Sequence, residues 1–430
     1  MTQQLSTRDA DFEQAFQALL GAKREDAEDV DQAAAAILAD IRAEGDAAVI
    51  RYTERFDRLR LTPERLRVSE AEIDAAEASV SAAERAALET AAARIEAFHL
   101  RQKPEDARWT DETGVSLGWR WTPVDAAGLY APGGKASYPS SVLMNAVPAR
   151  VAGVRRLVLC APAPGGVLNP LVLLAARLAG VEAVYRIGGA QAIGAMAYGV
   201  ESLAPVDVIV GPGNAYVAAA KRRVFGKVGI DSIAGPSEVV IVADESADPD
   251  WIAADLLAQA EHDEAAQSIL ITPVAGLGAA AAAAVARRLE TLPKRTIAEA
   301  SWMAHGAVLE TRDLDEAAAL VDRLAPEHLE LMVADPEALA ARVRHAGAIF
   351  LGAHTPEALG DYVAGPNHVL PTARSARHAS GLSVLDFMKR TTLLSASPEG
   401  LARLSPAAET LAAAEGLDAH ARSLAARRGD

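Results

Sequence analysis

Six residues in the C-terminal half have types and spacings that could do chemistry. Gln259 and His262 stand three apart in LLAQAEHDEAAQSILIT, Asp361 lies in EALGDYVAGPNHVLPT, and His420 lies in AAAEGLDAHARS. On a helix, residues three apart project from one face. Asp361 and His420 can join them only through the fold. Two imidazoles, one carboxylate and one amide oxygen suit a borderline cation such as Zn2+. Between them, Glu327 and His328 are adjacent in LAPEHLELM. A carboxylate can activate water and an imidazole can take an alcohol proton. Eight of the nine histidines fall between His262 and His420, which points to a polar site there. Plainer readings stand beside these. Q-x-x-H also suits a surface helix or a hydrogen-bonded core histidine, and the Glu–His pair suits an exposed loop.

The elements around these residues follow from patterning. From about Arg155, short β-rich runs alternate with helical stretches. Candidate strands cover 156–162, 183–189, 206–213, 238–244, 268–273, 306–311, 329–334 and 347–352. Buried runs alternating with helices predict parallel sheets with helices on both faces. Ala325-Pro326 before Glu327 predicts a kinked, non-helical entry into a strand. Neighbouring side chains point to opposite faces of a regular strand, so the pair flanks a site only at a strand start. The first 120 residues read as mostly helical. Ser69-Glu70-Ala71-Glu72 fits a capping box before one long helix to about Leu100, and Thr62-Pro63-Glu64 fits another helix start. The run GVSLGWRWTPVDAAGLYAPGG reads as strands and turns. From about Ser395 a helical tail carries His420, so it must fold back on a core, its own or a partner's.

Three glycine-rich turns deserve weighing. YAPGGKASYPSS (130–141) falls short of a Walker loop: Gly134-Lys135 is followed by Ala136, and Leu129 stands where the first glycine belongs. RIGGAQAIGA and VGPGNAYV each follow a candidate strand and precede a helix, where doubly wound folds bind phosphates. Neither is G-x-G-x-x-G, and a tight turn is the plainer reading. Cys160, the one cysteine, sits in an apolar strand run and reads as a buried structural thiol.

Bulk properties bound the rest. At 430 residues, 50% hydrophobic and 23% charged, the chain can fill more than one core. Its net charge of −16 and absence of long Lys/Arg runs exclude a nucleic-acid face. The N-terminus lacks an apolar signal core. The longest apolar run, Val274 to Ala286, has 13 residues, and a membrane span needs about 20. A cytoplasmic protein with a small-molecule partner is expected, with neither nucleic acid nor membrane as partner.

Together these segments resemble the L-histidinol dehydrogenase family, zinc- and NAD-dependent enzymes that complete histidine biosynthesis. The resemblance runs over nearly the whole chain. Its most specific stretches are GLYAPGGKASYPSSVLMNAVPA, RIGGAQAIGAMAYG, VDVIVGPGNAYVAAAKR, DLLAQAEHDEAAQSILIT, APEHLEL, AGPNHVLPT and EGLDAH. It implies one Zn2+ per subunit on Gln259, His262, Asp361 and His420. It implies Glu327 and His328 as proton acceptors, and NAD contacts at Tyr130, Gln191 and Asn214. Substrate contacts fall on Ser237, His368 and Glu415, besides the zinc ligands and His328. It further implies a homodimer whose tail, with Glu415 and His420, completes the neighbour's site. The implied fold is α/β, with two Rossmann-like parallel-sheet domains and helical appendages at both ends. On this reading 1–25 is an N-terminal helical segment. Residues 26–129 with 238–385 form the domain of the zinc and acid–base residues, 130–237 the NAD domain, and 386–430 a tail packed on the partner. The implied reaction takes L-histidinol through L-histidinal to L-histidine. The alternative is a paralogue oxidising another polar alcohol, such as a sulfonated diol. The chain departs from the family at ARSARHASG, with Arg374 and His378 where a Gly-Gly turn and an aromatic are usual. It departs again at Ser232, where Met is usual.

Overall fold

The structure is a computed structural model that describes residues 2–21, 28–133, 138–233 and 235–428. Gly134-Lys135-Ala136 of the near-Walker turn, and the boundary expected at 25–26, lie outside the described residues. Among the described residues there are fourteen strands: β1 Gln3–Ser6, β2 Ala107–Thr110, β3 Val115–Pro123, β4 Ala126–Tyr130, β5 Arg156–Cys160, β6 Ala183–Tyr185, β7 Val208–Val210, β8 Gly229–Ile230, β9 Glu238–Ala243, β10 Gln267–Thr272, β11 Ala307–Glu310, β12 His328–Met332, β13 Ala348–Leu351 and β14 Met388–Ala396. All eight strands expected after residue 155 are present.

Two of the sheets are parallel throughout and share one winding. The five-stranded sheet runs β6-β5-β4-β7-β8. The six-stranded sheet runs β1-β11-β10-β9-β12-β13. In the five-stranded sheet the chain starts in the middle at β4, winds outward to β6, then returns to wind outward to β8; in the six-stranded sheet β9 to β13 follow the same course from β9, and β1 adds an edge beside β11. Such an order leaves a switch point beside the first strand, where open α/β sheets bind ligands. A third, antiparallel sheet β14-β3-β2 stands apart.

The N-terminal helices pack otherwise than expected. Helices Glu28–Glu44 and Asp46–Asp57 do not join the 238–385 region; they cover the five-stranded sheet. Ala34, Ile37, Leu38 and Ile41 share a core with Ile193, Met196, Val217 and Ala220. The spacing of those four residues makes one apolar stripe, and Gly194 lets it close in, since a Cβ there would lie 3.1 Å from Leu38. Ile73, Ala92 and Ile95 likewise pack with Leu143, Val147 and Leu173. The single helix expected from Ser69 to Leu100 is two, Glu70–Ser79 and Ala82–Leu100, because Ser81 and Glu84 form a second capping box after the one at Ser69 and Glu72. The segment 1–25 is not only helical: β1 pairs with β11. The tail 386–430 opens with β14, which pairs along its length with β3 of the same chain.

Candidate active site

The acid–base pair sits at the amino end of β12. The helix Leu314–Leu324 ends at Ala325, whose φ of 45° is left-handed, and Pro326 follows. Non-glycine residues pay roughly 1–2 kcal/mol for that conformation. The sharp exit leaves Glu327 in the loop and His328 as the first strand residue. Both side chains then grip one peptide unit on the neighbouring strand. The Glu238 N–H donates to Glu327 Oε2 at 2.9 Å. The Glu238 carbonyl lies 3.1 Å from His328 Nδ1. A carbonyl only accepts, so Nδ1 carries the proton and Nε2 is the free face. Nε2 is buried without a hydrogen-bond partner, with Asp361 Oδ1 3.6 Å away.

Electrostatics follow from burial and crowding. Burial pushes Glu327 up to about 7. It pushes Glu357, on helix Glu357–Tyr362, up to about 8. Burial works against a charged His328, yet Glu357, Glu327 and Asp361 outweigh it and hold the imidazole well above its ordinary range. His328, Glu357 and Asp361 bring one ligand atom each to within 4.8 Å of one another, close enough to hold a cation.

Gln259 reaches this cluster from helix Pro249–Ala260 and is fully buried. Its amide nitrogen belongs toward Glu357, donating to the carboxylate oxygens at 2.8 and 3.2 Å, because the reverse faces oxygen to oxygen. The other end of the amide, 3.4 Å from His262 Nδ1, is then its carbonyl oxygen. Burial lowers the His262 pKa, which favours the neutral ring that a metal needs. The fold thus gathers Gln259, His262, Asp361, Glu327 and His328.

His368 joins from the following loop. Its Nδ1 lies 3.0 Å from the Asp361 carbonyl and its Nε2 3.3 Å from Ser141 Oγ. Ser237 immediately precedes β9, and its carbonyl accepts from the Gln267 N–H at 3.0 Å. Glu415 and His420 are not brought in. Both are exposed, and the helix Asp418–Arg428 buries no residue.

The residues expected to hold a dinucleotide lie at the carboxyl ends of β4, β6 and β7. Tyr130 closes β4, and its buried hydroxyl accepts from the Gly189 N–H at 3.0 Å. Gln191 is buried in the first turn of helix Gly189–Tyr198, and its Oε1 lacks a partner. Asn214 caps helix Ala215–Val224 through Oδ1 on the Val217 N–H. Both glycine-rich turns therefore have the expected strand–turn–helix form. Cys160 is fully buried and burial raises its thiol pKa, as befits a structural residue.

Sequence reasoning missed three carboxyl groups behind the site, two of them buried (Glu330 and Glu357) and one half-buried (Asp255). Glu330 Oε1 accepts the Glu357 N–H at 2.6 Å. Burial first, and then Asp255, raises Glu330 well above its ordinary value; burial raises Asp255 to about 6. The signal was periodicity. Glu357 is four residues before Asp361, Asp255 four before Gln259, and Glu330 two after His328, each on the same face as a residue already chosen.

A buried acid–base pair beside clustered atoms that could hold a cation is an arrangement suited to proton transfer. Comparison narrows the class. The family model for histidinol dehydrogenase matches residues 21–428. Histidinol dehydrogenase of Cereibacter sphaeroides is 70% identical, over 99% of this chain and 98% of that protein. That of Ruegeria pomeroyi is 67% identical over 99% of each chain. The crystal structure of histidinol dehydrogenase from Elizabethkingia anophelis superposes with a TM-score of 0.94 at 37% identity, over 99% of this chain and 98% of that one. The chain belongs to the histidinol dehydrogenase family, a family of oxidoreductases.

Proposed function

We propose that this chain oxidises L-histidinol through L-histidinal to L-histidine, using two NAD+, in histidine biosynthesis. One observation carries the mechanism: Glu327 and His328 share the Glu238 peptide, and His328 Nε2 emerges buried and free beside Asp361. The donor set fits Zn2+, with Gln259, His262 and Asp361 from one chain and His420 from a second copy. Bound there, the ion would orient the substrate and lower the pKa values of the neighbouring carboxyl and imidazole groups. NAD+, held near Tyr130, Gln191 and Asn214, would supply the hydride acceptor. His328 Nε2 takes the proton of the substrate hydroxyl as hydride leaves the carbon. Glu327 deprotonates the water that adds to the aldehyde. His328 then takes a proton from the hydrate in the second oxidation. Each group contributes roughly 10²–10⁴ in rate. Ser237, His368 and Glu415 are assigned to substrate binding.

The enzyme is read as a cytoplasmic homodimer. Among the described residues no helix is long and apolar enough to cross a membrane. The exposed tail supports a site completed between subunits, since so small an appendage has little core of its own. The deciding measurement is NADH formed per histidinol consumed by zinc-loaded protein. Two per substrate is expected; one, with histidinal accumulating, overturns the four-electron reading.

A further inference from the structure

We infer that Lys221 and Asp231 are positioning residues for the dinucleotide, acting through a clamp on Gly211. The inference rests on the assignment of NAD+ to the carboxyl end of the five-stranded sheet. Gly211 follows β7 at the switch point and opens the turn Gly211-Pro212-Gly213-Asn214. Both polar groups of this residue are held by side chains. Its N–H donates to Asp231 Oδ2 at 2.8 Å. Its carbonyl accepts from Lys221 Nζ at 3.0 Å. The same ammonium pairs with Asp231 Oδ1. The two side chains are 2% and 4% exposed.

The clamp extends regular structure past its natural end. β8 stops at Ile230, and the Asp231 carboxylate adds one more rung toward β7. Lys221 lies in helix Ala215–Val224, where Val217 and Val224 on the same face are core residues. An apolar side chain is what that position calls for. A buried ion pair seldom adds stability over a well-packed apolar pair, so its value lies in the geometry it imposes. That geometry is tight. Gly211 has φ of 116°, and a Cβ there would lie 2.1 Å from the Tyr130 carbonyl. The turn is therefore pressed against the end of β4, and Tyr130 in turn holds the Gly189 N–H. Lys221 and Asp231 thus fix the height at which Asn214 and the amino end of its helix meet a phosphate-bearing ligand.

The test is NAD+ affinity by calorimetry on zinc-loaded protein. The variants are Lys221→Met and the neutral pair Lys221→Met/Asp231→Asn, which leaves no unpaired buried charge. Both are expected to weaken NAD+ binding at least tenfold, while zinc content, histidinol affinity and kcat at saturating NAD+ stay near wild type. Lys221→Arg, which keeps a charged donor, is expected to recover part of the affinity. A folded neutral pair that binds NAD+ as wild type does, with only a lowered melting temperature, overturns the clamp. If the neutral pair does not fold, Asp231→Asn alone is measured: a several-fold loss of affinity is expected, and none overturns the clamp. Wild-type protein that binds no NAD+ would sink the cofactor assignment itself, and the clamp with it.

Discussion

The sharpest consequence of the exposed tail is that two inactive variants should restore each other. His262→Ala removes a ligand presented by the body of the chain; His420→Ala removes one presented by the tail. In the single chain His262 lies against Gln259, whereas His420 is exposed on a helix that buries nothing. If the tail serves its own subunit, each variant spoils every site it forms, and mixing changes nothing. If the tail crosses to the partner in a two-fold dimer, random exchange of equal amounts makes about half of the dimers mixed. Each mixed dimer has one site with both defects and one with none. The expected activity is therefore about one quarter of wild type. The assay is NADH formation from histidinol with excess zinc, after exchange is verified by mass spectrometry of differently labelled subunits. Verified exchange without recovered activity refutes the shared site. Recovery well above one quarter would refute the two-fold arithmetic.

Further outcomes follow from the same geometry. Glu327→Gln keeps an oxygen for the Glu238 N–H, so the fold should persist while oxidation of supplied histidinal slows roughly 10²–10⁴-fold; equal slowing of the first hydride step, seen in single-turnover absorbance, would contradict its role in activating water. Burial raises Glu327 to about 7 and Glu357 to about 8, so below that window the metal-free site holds both protons, and a cation bound beside them favours their release. Zinc affinity should rise with pH across about 7 to 8, with proton release visible by calorimetry in buffers of different ionisation heat, and a flat profile would contradict the assigned site. Ala373 has a left-handed φ of 51°, a conformation that favours glycine. Ala373→Gly relieves roughly 1 kcal/mol of backbone cost, partly offset by a freer unfolded chain. A small rise in the urea midpoint is expected, and a fall would show that the loop is not strained there.

Much of the fold was legible because its inner strands are apolar runs closed by glycine or proline. VVIVA and SILIT lie wholly inside and need no partner knowledge to be read. The edges were not legible. Gln3-Gln4-Leu5-Ser6 is short and polar, and only pairing with β11 makes it a strand. β14 is largely exposed and gains its form from β3. The stripe on helix Glu28–Glu44 shows that it covers something; which sheet it covers is decided by tertiary fit, here by the space that Gly194 leaves.

The site shows the same division, and its most instructive case is the Glu327–His328 pair. Adjacent residues on a strand face apart, and the kinked entry read from Ala325-Pro326 offered a way round that only at a strand start. The structure resolves it by ending the preceding helix in a left-handed Ala325, so that only His328 belongs to the strand. The two side chains then meet on a group that carries no side-chain signal at all, the backbone of Glu238 on a strand about ninety residues earlier. Register alone puts it there, through the pairing of His328 with Val239. One peptide serves as donor to the carboxylate and acceptor for the imidazole. The pair is thereby held with the carboxylate's second oxygen and Nε2 left for chemistry. The Glu238 side chain has separate work: its Oε1 accepts the Ala373 N–H at 3.1 Å, and its charge adds to the rise of the Glu327 pKa. Shifting β12 by one residue would exchange the faces of His328 and Leu329 and destroy the arrangement.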